Sequence, residues 1–385
     1  GGAECFRYTE EVGGSIPSRA YFDPVGAQGR FLALDFFRGC VMFLLIGEAT
    51  GLYDLLVDPR FQGTVVSLIG RQFHHHPWNG LRLWDLGLPF FLFISGVAMA
   101  VSAGRRCGER QGRGPGWGRA LARSGLLMAI GWALYAIVPV EGASRGVFLY
   151  DVLPHLAVGG LIVFAVRKAR SAILLALSLG LLAITEASYR LWPGLGPDGP
   201  FSPGLNFGAA VDRALLGGLS DGNWVVINII PAAAFMIWGS LAGRLLVSQK
   251  ASGAKLKGLI AAGAAALAAG LFLCFVTPVV RRICTSSFAL IAGGLGFLAL
   301  GSSGAFLAFW AFSDLPLSFS SLAAAAFSAF ILASSSVFFS CAAITLSRPA
   351  AALTSALSFL TIGSLSARLA VMPFSDRKAR RSFNC

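Results

Sequence analysis

The stretch "LWDLGLPFFLFISGVAMAVS", residues 83–102, decides the fold class of this chain. It is mostly apolar, and Asp85 is its one charged side chain. A helix needs roughly 20 mostly apolar residues to cross the hydrocarbon core of a bilayer, and this stretch supplies them. We therefore predict an all-α fold, a polytopic transmembrane helix bundle with about eight spans to residue 300 and room for two more after it. The other seven predicted spans lie at 31–50, 124–140, 150–166, 171–187, 224–243, 258–277 and 285–300.

The composition of the whole chain agrees with a membrane protein. Of its 385 residues, 56% are apolar and 13% are charged, and the mean hydropathy is +0.71. These values lie well outside the range of ordinary soluble domains. The net charge of +13 would suit nucleic acid in a soluble protein, but in so apolar a chain the charges are better explained as flanking the spans. We predict the lipid bilayer as a partner and no nucleic acid.

Positively charged residues cluster in the loops on one side of the predicted bundle. The loop at residues 103–123 carries six arginines, and the loops after the fourth and sixth spans add seven Lys and Arg residues. Such loops stay in the cytoplasm, so we predict a cytoplasmic N-terminus. The loop that holds "QFHHHPWNG", residues 72–80, then lies on the outer side.

We divide the chain into three parts. Residues 1–29 form a polar leader that we predict to be cytoplasmic, and residues 30–300 form the transmembrane domain. The Ser-, Ala- and Phe-rich tail at 301–385 has no Asn, Gln, Glu, Lys, His or Tyr up to residue 370. That bias suits further spans, a shifted reading frame or a low-complexity segment equally well, and we assign the tail no function.

The segment 188–223 is the longest loop predicted before residue 300, and its Gly and Pro content predicts a structured loop without a helix or strand. Trp192 and Trp224 lie near its ends. Tryptophans at span ends are typical of an interfacial aromatic belt, with stacking on a substrate as the alternative.

Ionisable residues inside spans are functional candidates, because burying them is costly. Asp35 and Arg38 are three residues apart, so they share a helix face, and we predict a structural ion pair. Asp85 has no partner in its own span and needs a histidine or an arginine. Asp151 and His155, four apart, share a helix face at the outer end of the fourth span.

Two arginines break the charge bias of the loops. Arg281 and Arg282 follow the seventh span on the predicted outer side, where Lys and Arg are normally sparse. They could bind an anion such as a phosphate or carboxylate, and an error in the predicted topology is the simpler alternative.

Three of the four histidines lie together in "QFHHHPWNG". Consecutive side chains on a helix diverge by about 100°, and no second His or Cys pair completes a tetrahedral set, so we predict no metal. The seven cysteines are scattered and suggest no disulfide framework. The cluster is then either an exposed loop or a general base, whose unperturbed pKa of about 6.5 lies near working pH. Asp85 and Glu48 could orient the ring.

Three blocks of the sequence resemble, in order, bacterial relatives of heparan-alpha-glucosaminide N-acetyltransferase, over about residues 30–300. The middle block is the most specific, since a His-x-x-Trp-Asn-Gly pattern precedes an Asp-Leu-x-x-Pro-Phe helix start. The blocks are "RFLALDFFRGCVMFLLIGEATG" (30–51), "HHHPWNGLRLWDLGLPFFLFISGVAMAVS" (74–102) and "PVVRRICTSSFALIAGG" (278–294).

The resemblance implies a transmembrane acetyltransferase of the bacterial inner membrane. It would move an acetyl group from cytoplasmic acetyl-CoA to an amino sugar or related glycan on the outer side, without a metal. The family pattern makes His75 the active histidine, either as a base or through an acetyl-histidine, with Asp85 and Glu48 beside it. Glu48 stands where the lysosomal enzyme has Asn. A homodimer is one arrangement that such a chain could adopt. The substrate-binding candidates are Trp78, Asn79, Asp151, His155, Arg281 and Arg282.

A sugar or amino-sugar transporter is the alternative function. Carboxylates inside spans, Gly-rich helices and the Pro-interrupted second span are typical of transporters. A transporter would also favour inverted repeats between the two halves, and the sequence contains none that we can detect. A membrane scaffold would leave the clustered polar residues unexplained.

Overall fold

The computed structural model describes residues 31–109, 116–137, 146–193, 196–197 and 199–311. In these ranges all the regular elements are helical. The predicted leader at 1–29 lies outside them, as does most of the tail, although the last helix runs past residue 300 to Ala311. The α-helices are α1 (Leu32–Ala49), α2 (Leu52–Leu56), α3 (Val65–Gln72), α4 (Gly87–Glu109), α5 (Trp117–Ile137), α6 (Val152–Val166), α7 (Ser171–Leu191), α8 (Phe207–Leu216), α9 (Ile229–Val247), α10 (Ser252–Leu273) and α11 (Ser286–Ala311).

The all-α, polytopic fold predicted from the apolar runs is confirmed. Six helical stretches are long and apolar enough to cross a membrane. The other two predicted spans are also helical, but α1 carries three charged residues and α6 has only 15 residues. The six stretches are Leu83–Gly104, Trp117–Ile137, Ser171–Leu191, Val226–Val247, Ser252–Leu273 and Ser286–Ala305.

Some helix ends differ from the predicted ones by several residues. The span predicted at 124–140 is the helix Trp117–Ile137, so Arg119 and Arg123, which we predicted in a loop, lie in its first turns. Arginines there can extend their charged ends to the membrane surface while their stems stay in the apolar region, which is why hydropathy alone misplaced the boundary.

The centre of the bundle is formed by α4, α9 and α11, and most of α9 is buried. Glycines let α4 and α9 approach closely, since a Cβ on Gly96 would overlap Met236 O and one on Gly239 would overlap Phe93 O. Without water to drive association, membrane helices depend on such close backbone packing. This rigid core carries the start of α4 and the start of α9, where the polar residues gather.

The segment 188–223 contains a helix that we did not predict. Asn206 Oδ1 accepts a hydrogen bond from Ala209 N at 2.9 Å and begins α8, and Gly217 ends it with a φ of 73°. Asn at the start of a helix and Gly just after its end are stabilising caps. The prediction of a loop without a helix was wrong, because these residues mark the two ends of a short helix.

Candidate active site

His75 and Asp85 form a hydrogen-bonded pair at one end of the bundle. Asp85 lies in the 3-10 turn Leu83–Leu86, which leads directly into α4. Its side chain is fully buried, and Oδ1 lies 2.9 Å from His75 Nδ1. An ionised carboxylate can only accept, so His75 Nδ1 carries a proton and Nε2 of the neutral ring keeps its lone pair. An imidazole oriented in this way is suited to act as a general base.

The second carboxylate oxygen of Asp85 organises the backbone around His75. Oδ2 accepts hydrogen bonds from Arg82 N at 2.9 Å and from His76 N at 3.2 Å. The Arg82 side chain in turn donates from Nη1 to His75 O at 3.0 Å. Because both oxygens of Asp85 are engaged, the carboxylate fixes the ring and its loop together.

The motif residues after His75 connect its loop to two distant segments. Asn79 Oδ1 accepts a hydrogen bond from Val279 N at 2.9 Å, and Gly80 N donates to Val279 O at 2.8 Å. Trp78 Nε1 donates to Phe201 O at 3.0 Å. These groups of Trp78 and Asn79 bind protein backbone, and the predicted role of the two residues in substrate binding stays a prediction. The spacing of the motif therefore matters for positioning the histidine loop.

Arg281 and Arg282 meet His75 across the indole ring of Trp224. The Cζ atoms of Arg281 and Arg282 lie 4.6 Å and 5.4 Å from the ring centroid. The His75 ring packs edge-on against the same indole, with a centroid distance of 5.1 Å and an interplanar angle of 72°. Burial lowers the pKa of both arginines, and the charge of Asp85 opposes that shift. Arginine is so basic that both guanidinium groups stay charged.

His76 is held neutral beside the pair. Burial, and then the charge of Arg82, lowers the pKa of His76 to about 4. A Cβ on Gly80 would lie 2.5 Å from His76 Nε2, so glycine makes room for this ring. His76 is therefore a neutral neighbour of the pair at working pH.

Glu48 approaches the pair from the end of α1. It accepts a hydrogen bond from the Trp84 side chain and lies close enough to His75 for a favourable charge interaction. The side chain is exposed. Glu48 is thus an exposed carboxylate near His75, whereas the carboxylate of Asp85 is buried.

Asp151 and His155 lie together at the start of α6. Asp151 Oδ1 caps the helix by accepting from Val152 N at 2.5 Å, and Oδ2 accepts from Tyr135 Oη at 3.2 Å. His155 Nδ1 donates to Asp151 O at 2.6 Å. The two residues share one end of α6, but His155 bonds to the backbone of Asp151 rather than to its carboxylate.

His155 also lines a small cavity behind the arginines. Within the described residues, His155 Nε2, Asn228 Oδ1 and Arg281 Nε have no hydrogen-bond partner. Asn228 Nδ2 donates to Arg282 O at 2.5 Å. The cavity brings α6, α9 and the arginine loop into one polar region. Its lining residues are Leu88, Pro89, His155, Asn228, Ala232, Phe235, Arg281, Cys284 and Phe288.

The predicted ion pair of Asp35 and Arg38 lies apart from the site. Arg38 Nη1 is 3.8 Å from Asp35 Oδ1, and both side chains are about half exposed, with values of 50% and 47%. Asp35 is 13 residues from Glu48 on α1, a distance of about 20 Å along a helix. The contact is long for a hydrogen bond, and an exposed pair of this kind contributes little stability.

Sequence reasoning missed three residues of this region: Arg82, Trp224 and Asn228. Arg82 has a local signal, because Arg at the outer end of a span conflicts with the charge bias. For Trp224 the sequence favoured an aromatic belt over stacking on a substrate, and its contacts with His75 and Arg281 depend on packing alone. Asn228 is a polar residue in an apolar run, which was a detectable signal.

Residues 30–271 match the family model described as heparan-alpha-glucosaminide N-acetyltransferase, catalytic. The chain belongs to this family. It is a transmembrane acetyltransferase, since the family match covers most of the chain and six helices can cross a membrane. No individual curated protein matches the chain significantly.

The match places most of the site within the acetyltransferase domain. His75, Asp85 and Glu48 lie inside it, whereas Arg281 and Arg282 follow its end at residue 271. Among the described residues, no group of three or more His, Cys, Asp and Glu side chains is arranged to hold a metal ion.

Proposed function

We propose that this acetyltransferase moves an acetyl group from cytoplasmic acetyl-CoA to an amino sugar or related glycan on the other side of the membrane, with His75 as the base. The observation that carries the proposal is the 2.9 Å contact between His75 Nδ1 and the buried Asp85 Oδ1. It directs the lone pair of Nε2 away from the carboxylate, where an acceptor amine or hydroxyl can approach.

In direct transfer, the acceptor nitrogen or oxygen attacks the thioester carbonyl while His75 Nε2 removes its proton. The new bond to carbon forms, the carbon–sulfur bond breaks, and the imidazolium returns the proton to the CoA sulfur. Asp85 stabilises the imidazolium during this step through the Nδ1 hydrogen bond. Glu48 adds a second negative charge near the ring.

In the covalent alternative, His75 Nε2 itself attacks the thioester, the carbon–sulfur bond breaks, and CoA leaves as a thiolate that takes a proton from water. The acceptor then attacks the acetyl carbon, the carbon–nitrogen bond to His75 breaks, and the freed Nε2 removes the acceptor's proton. The same Nδ1 contact favours this route, because Nε2 must be unprotonated in either case. Single-turnover mixing of enzyme and acetyl-CoA distinguishes the two, since CoA is released without acceptor only in the covalent route.

Arginine charges favour a ligand with a negative or strongly polar group. Arg82, Arg281 and Arg282 are each partly buried, and all interact with the buried carboxylate of Asp85. Partly buried cations in excess of their counter-ions favour anion binding, because an uncompensated charge removed from water is costly. We assign Arg281 and Arg282 to a phosphate or carboxylate of the substrates, with Asp151 and His155 supporting that end of the site.

Orientation follows from the loop charges. Loops rich in Lys and Arg support a cytoplasmic N-terminus in a bacterial cell, with the His75 end facing outward and the CoA entering from the opposite side. A homodimer is compatible with this arrangement.

The decisive experiment supplies purified protein with labelled acetyl-CoA and a panel of amino sugars. We expect acetyl transfer by the wild type, loss of at least about 100-fold in His75→Ala, and near-normal transfer in His74→Ala, because a positioned general base contributes about 10²- to 10⁴-fold. His74 is the matched control, since its Nε2 lies 3.2 Å from the Asp54 carboxylate. Equal activity of His75→Ala and the wild type would exclude the proposed base.

The transporter alternative gives the opposite pattern. If the protein were a transporter, proteoliposomes would take up labelled amino sugar in the absence of acetyl-CoA, and uptake would survive His75→Ala. The intramembrane carboxylate and the Pro-interrupted α4 start motivate this control.

A further inference from the structure

The short helices between α1 and α4 have their apolar residues on the outside. In α3 the aliphatic side chains of Val65, Leu68 and Ile69 are 69%, 58% and 52% exposed, whereas Ser67 is 4% exposed. A helix on a water-soluble protein buries its apolar face and exposes its polar one. The arrangement in α3 is the reverse, as expected where the surroundings are lipid.

Small residues mediate the packing of α3 on the protein. Gly70 is buried, and a Cβ at this position would lie 2.7 Å from Leu56 Cβ of α2. Leu52 and Leu55 of α2 are themselves exposed, as is Phe61 in the turn between the helices. Together with α3 they belong to a helical hairpin that comprises residues 52–72, which we call the interfacial hairpin.

We propose that the interfacial hairpin lies in the bilayer surface at the His75 end of the bundle, with its aliphatic side chains embedded among the lipids. The surroundings of the hairpin are the bilayer because the preceding helix α1, which resembles a membrane span, also exposes large apolar side chains. Phe43 and Ile46 of that helix are 75% and 58% exposed. An amphipathic segment beside membrane-spanning helices binds in the interface through its apolar face.

The charges of the hairpin indicate which lipids it needs. Asp54 and Asp58 balance Arg60 and Arg71, so the segment has no net charge. Binding to anionic headgroups depends on excess Lys and Arg, which are absent here. Embedding therefore rests on apolar contact and requires no anionic lipid.

The hairpin connects directly to the active-site loop. Tyr53 Oη donates to Leu44 O at 2.8 Å, and the Tyr53 ring stacks on Phe73 at 4.2 Å. His74 Nδ1 donates to Gly70 O at 3.0 Å. Since His75 follows immediately, the embedded hairpin sets the depth of the base at the membrane surface, within reach of an acceptor in water.

Photocrosslinking tests this inference without any activity assay. The full chain is placed in phosphatidylcholine nanodiscs with p-benzoylphenylalanine replacing Leu68 or Ile69, both exposed positions that tolerate a large side chain. Gln62, an exposed polar residue of the same hairpin, is the matched control position. Melting temperature confirms that each variant is folded.

After irradiation, we expect phospholipid adducts at positions 68 and 69 at least about five times more abundant than at position 62. Adducts between two copies of the chain would overturn the proposal, because the face would then be a protein interface. Lipid adducts no more abundant than at position 62 would also overturn it, because the face would then lie in water. Neither result depends on whether the protein transfers acetyl groups.

Discussion

Replacing Asp85 by Asn tests the core of the site, because the structure dictates how the amide must orient. Oδ2 accepts from two backbone N–H groups, those of His76 and Arg82, and Oδ1 accepts from one ring N–H of His75. An Asn side chain has one oxygen, which will face the two backbone donors. Its NH₂ group then points at His75 Nδ1 and must donate to it. The proton of His75 moves to Nε2, where the ring can no longer accept a proton.

The expected loss of activity depends on which of two orientations the Asn side chain adopts. Loss of a general base costs about 10²- to 10⁴-fold in rate, which is about 3 to 5 kcal/mol of transition-state stabilisation. The alternative orientation of Asn would place its NH₂ group against two backbone N–H groups, at a cost of roughly 1 to 3 kcal/mol for each unsatisfied donor. The wrong tautomer is therefore the cheaper outcome, and kcat should fall much more than KM rises.

The assay is steady-state acetyl transfer by Asp85→Asn in detergent, with melting temperature as a check on folding. Asp54→Asn is the matched control, because Asp54 also faces a histidine, at 3.2 Å, but its side chain is 84% exposed whereas that of Asp85 is 0% exposed. We expect the control to retain at least about half of the wild-type kcat, as exposed pairs contribute little. A folded Asp85→Asn protein within about threefold of wild type, or an equal loss in both variants, would refute the reasoning.

Three further predictions concern the surroundings of the pair. Gly80→Ala should destabilise the protein by about 1 to 3 kcal/mol, since its Cβ would lie 2.5 Å from His76 Nε2; a melting temperature equal to that of wild type would contradict this. His76 has a pKa of about 4, below the unfolded value of about 6.5, so the unfolded chain takes up a proton at a higher pH than the folded one. Roughly 2 to 3 kcal/mol of the free energy of unfolding is therefore present above pH 6.5 and lost as the pH falls towards 4. In His76→Gln, the melting temperature should vary less over that pH range. An unchanged dependence of melting temperature on pH would show that His76 does not cause it. Asp212→Asn should cost about 1 to 3 kcal/mol, because Oδ2 accepts from Tyr150 Oη at 2.9 Å and Oδ1 from Val226 N at 3.1 Å; an unchanged melting temperature would show that these two contacts do not stabilise the fold.

Much of the fold could be predicted because membrane helices are specified locally. A run of apolar residues that is long enough to cross a bilayer must form a helix, since its backbone groups have no other partner there. The run at 83–102 was therefore sufficient to predict the helical span Leu83–Gly104. Helix ends were less certain, as with Arg119 and Arg123, because long charged side chains can extend from inside a span.

The site was predictable where its information is local. One short segment of sequence contains His75, Trp78 three residues later, and the Asn-Gly pair that follows it. The need of Asp85 for a histidine or arginine also follows from burial alone. Burial does not specify which of the available histidines and arginines bonds to Asp85.

By itself, then, the sequence of this protein determined the helices, the membrane-spanning class and the motif around His75. Only the tertiary structure decided that His75 is the ring that bonds to Asp85, and that Trp224 lies between this ring and Arg281. Asn79 and Val279 are joined across 200 residues of sequence. Contacts of that separation depend on how the finished helices pack, because no local preference of either segment specifies its distant partner.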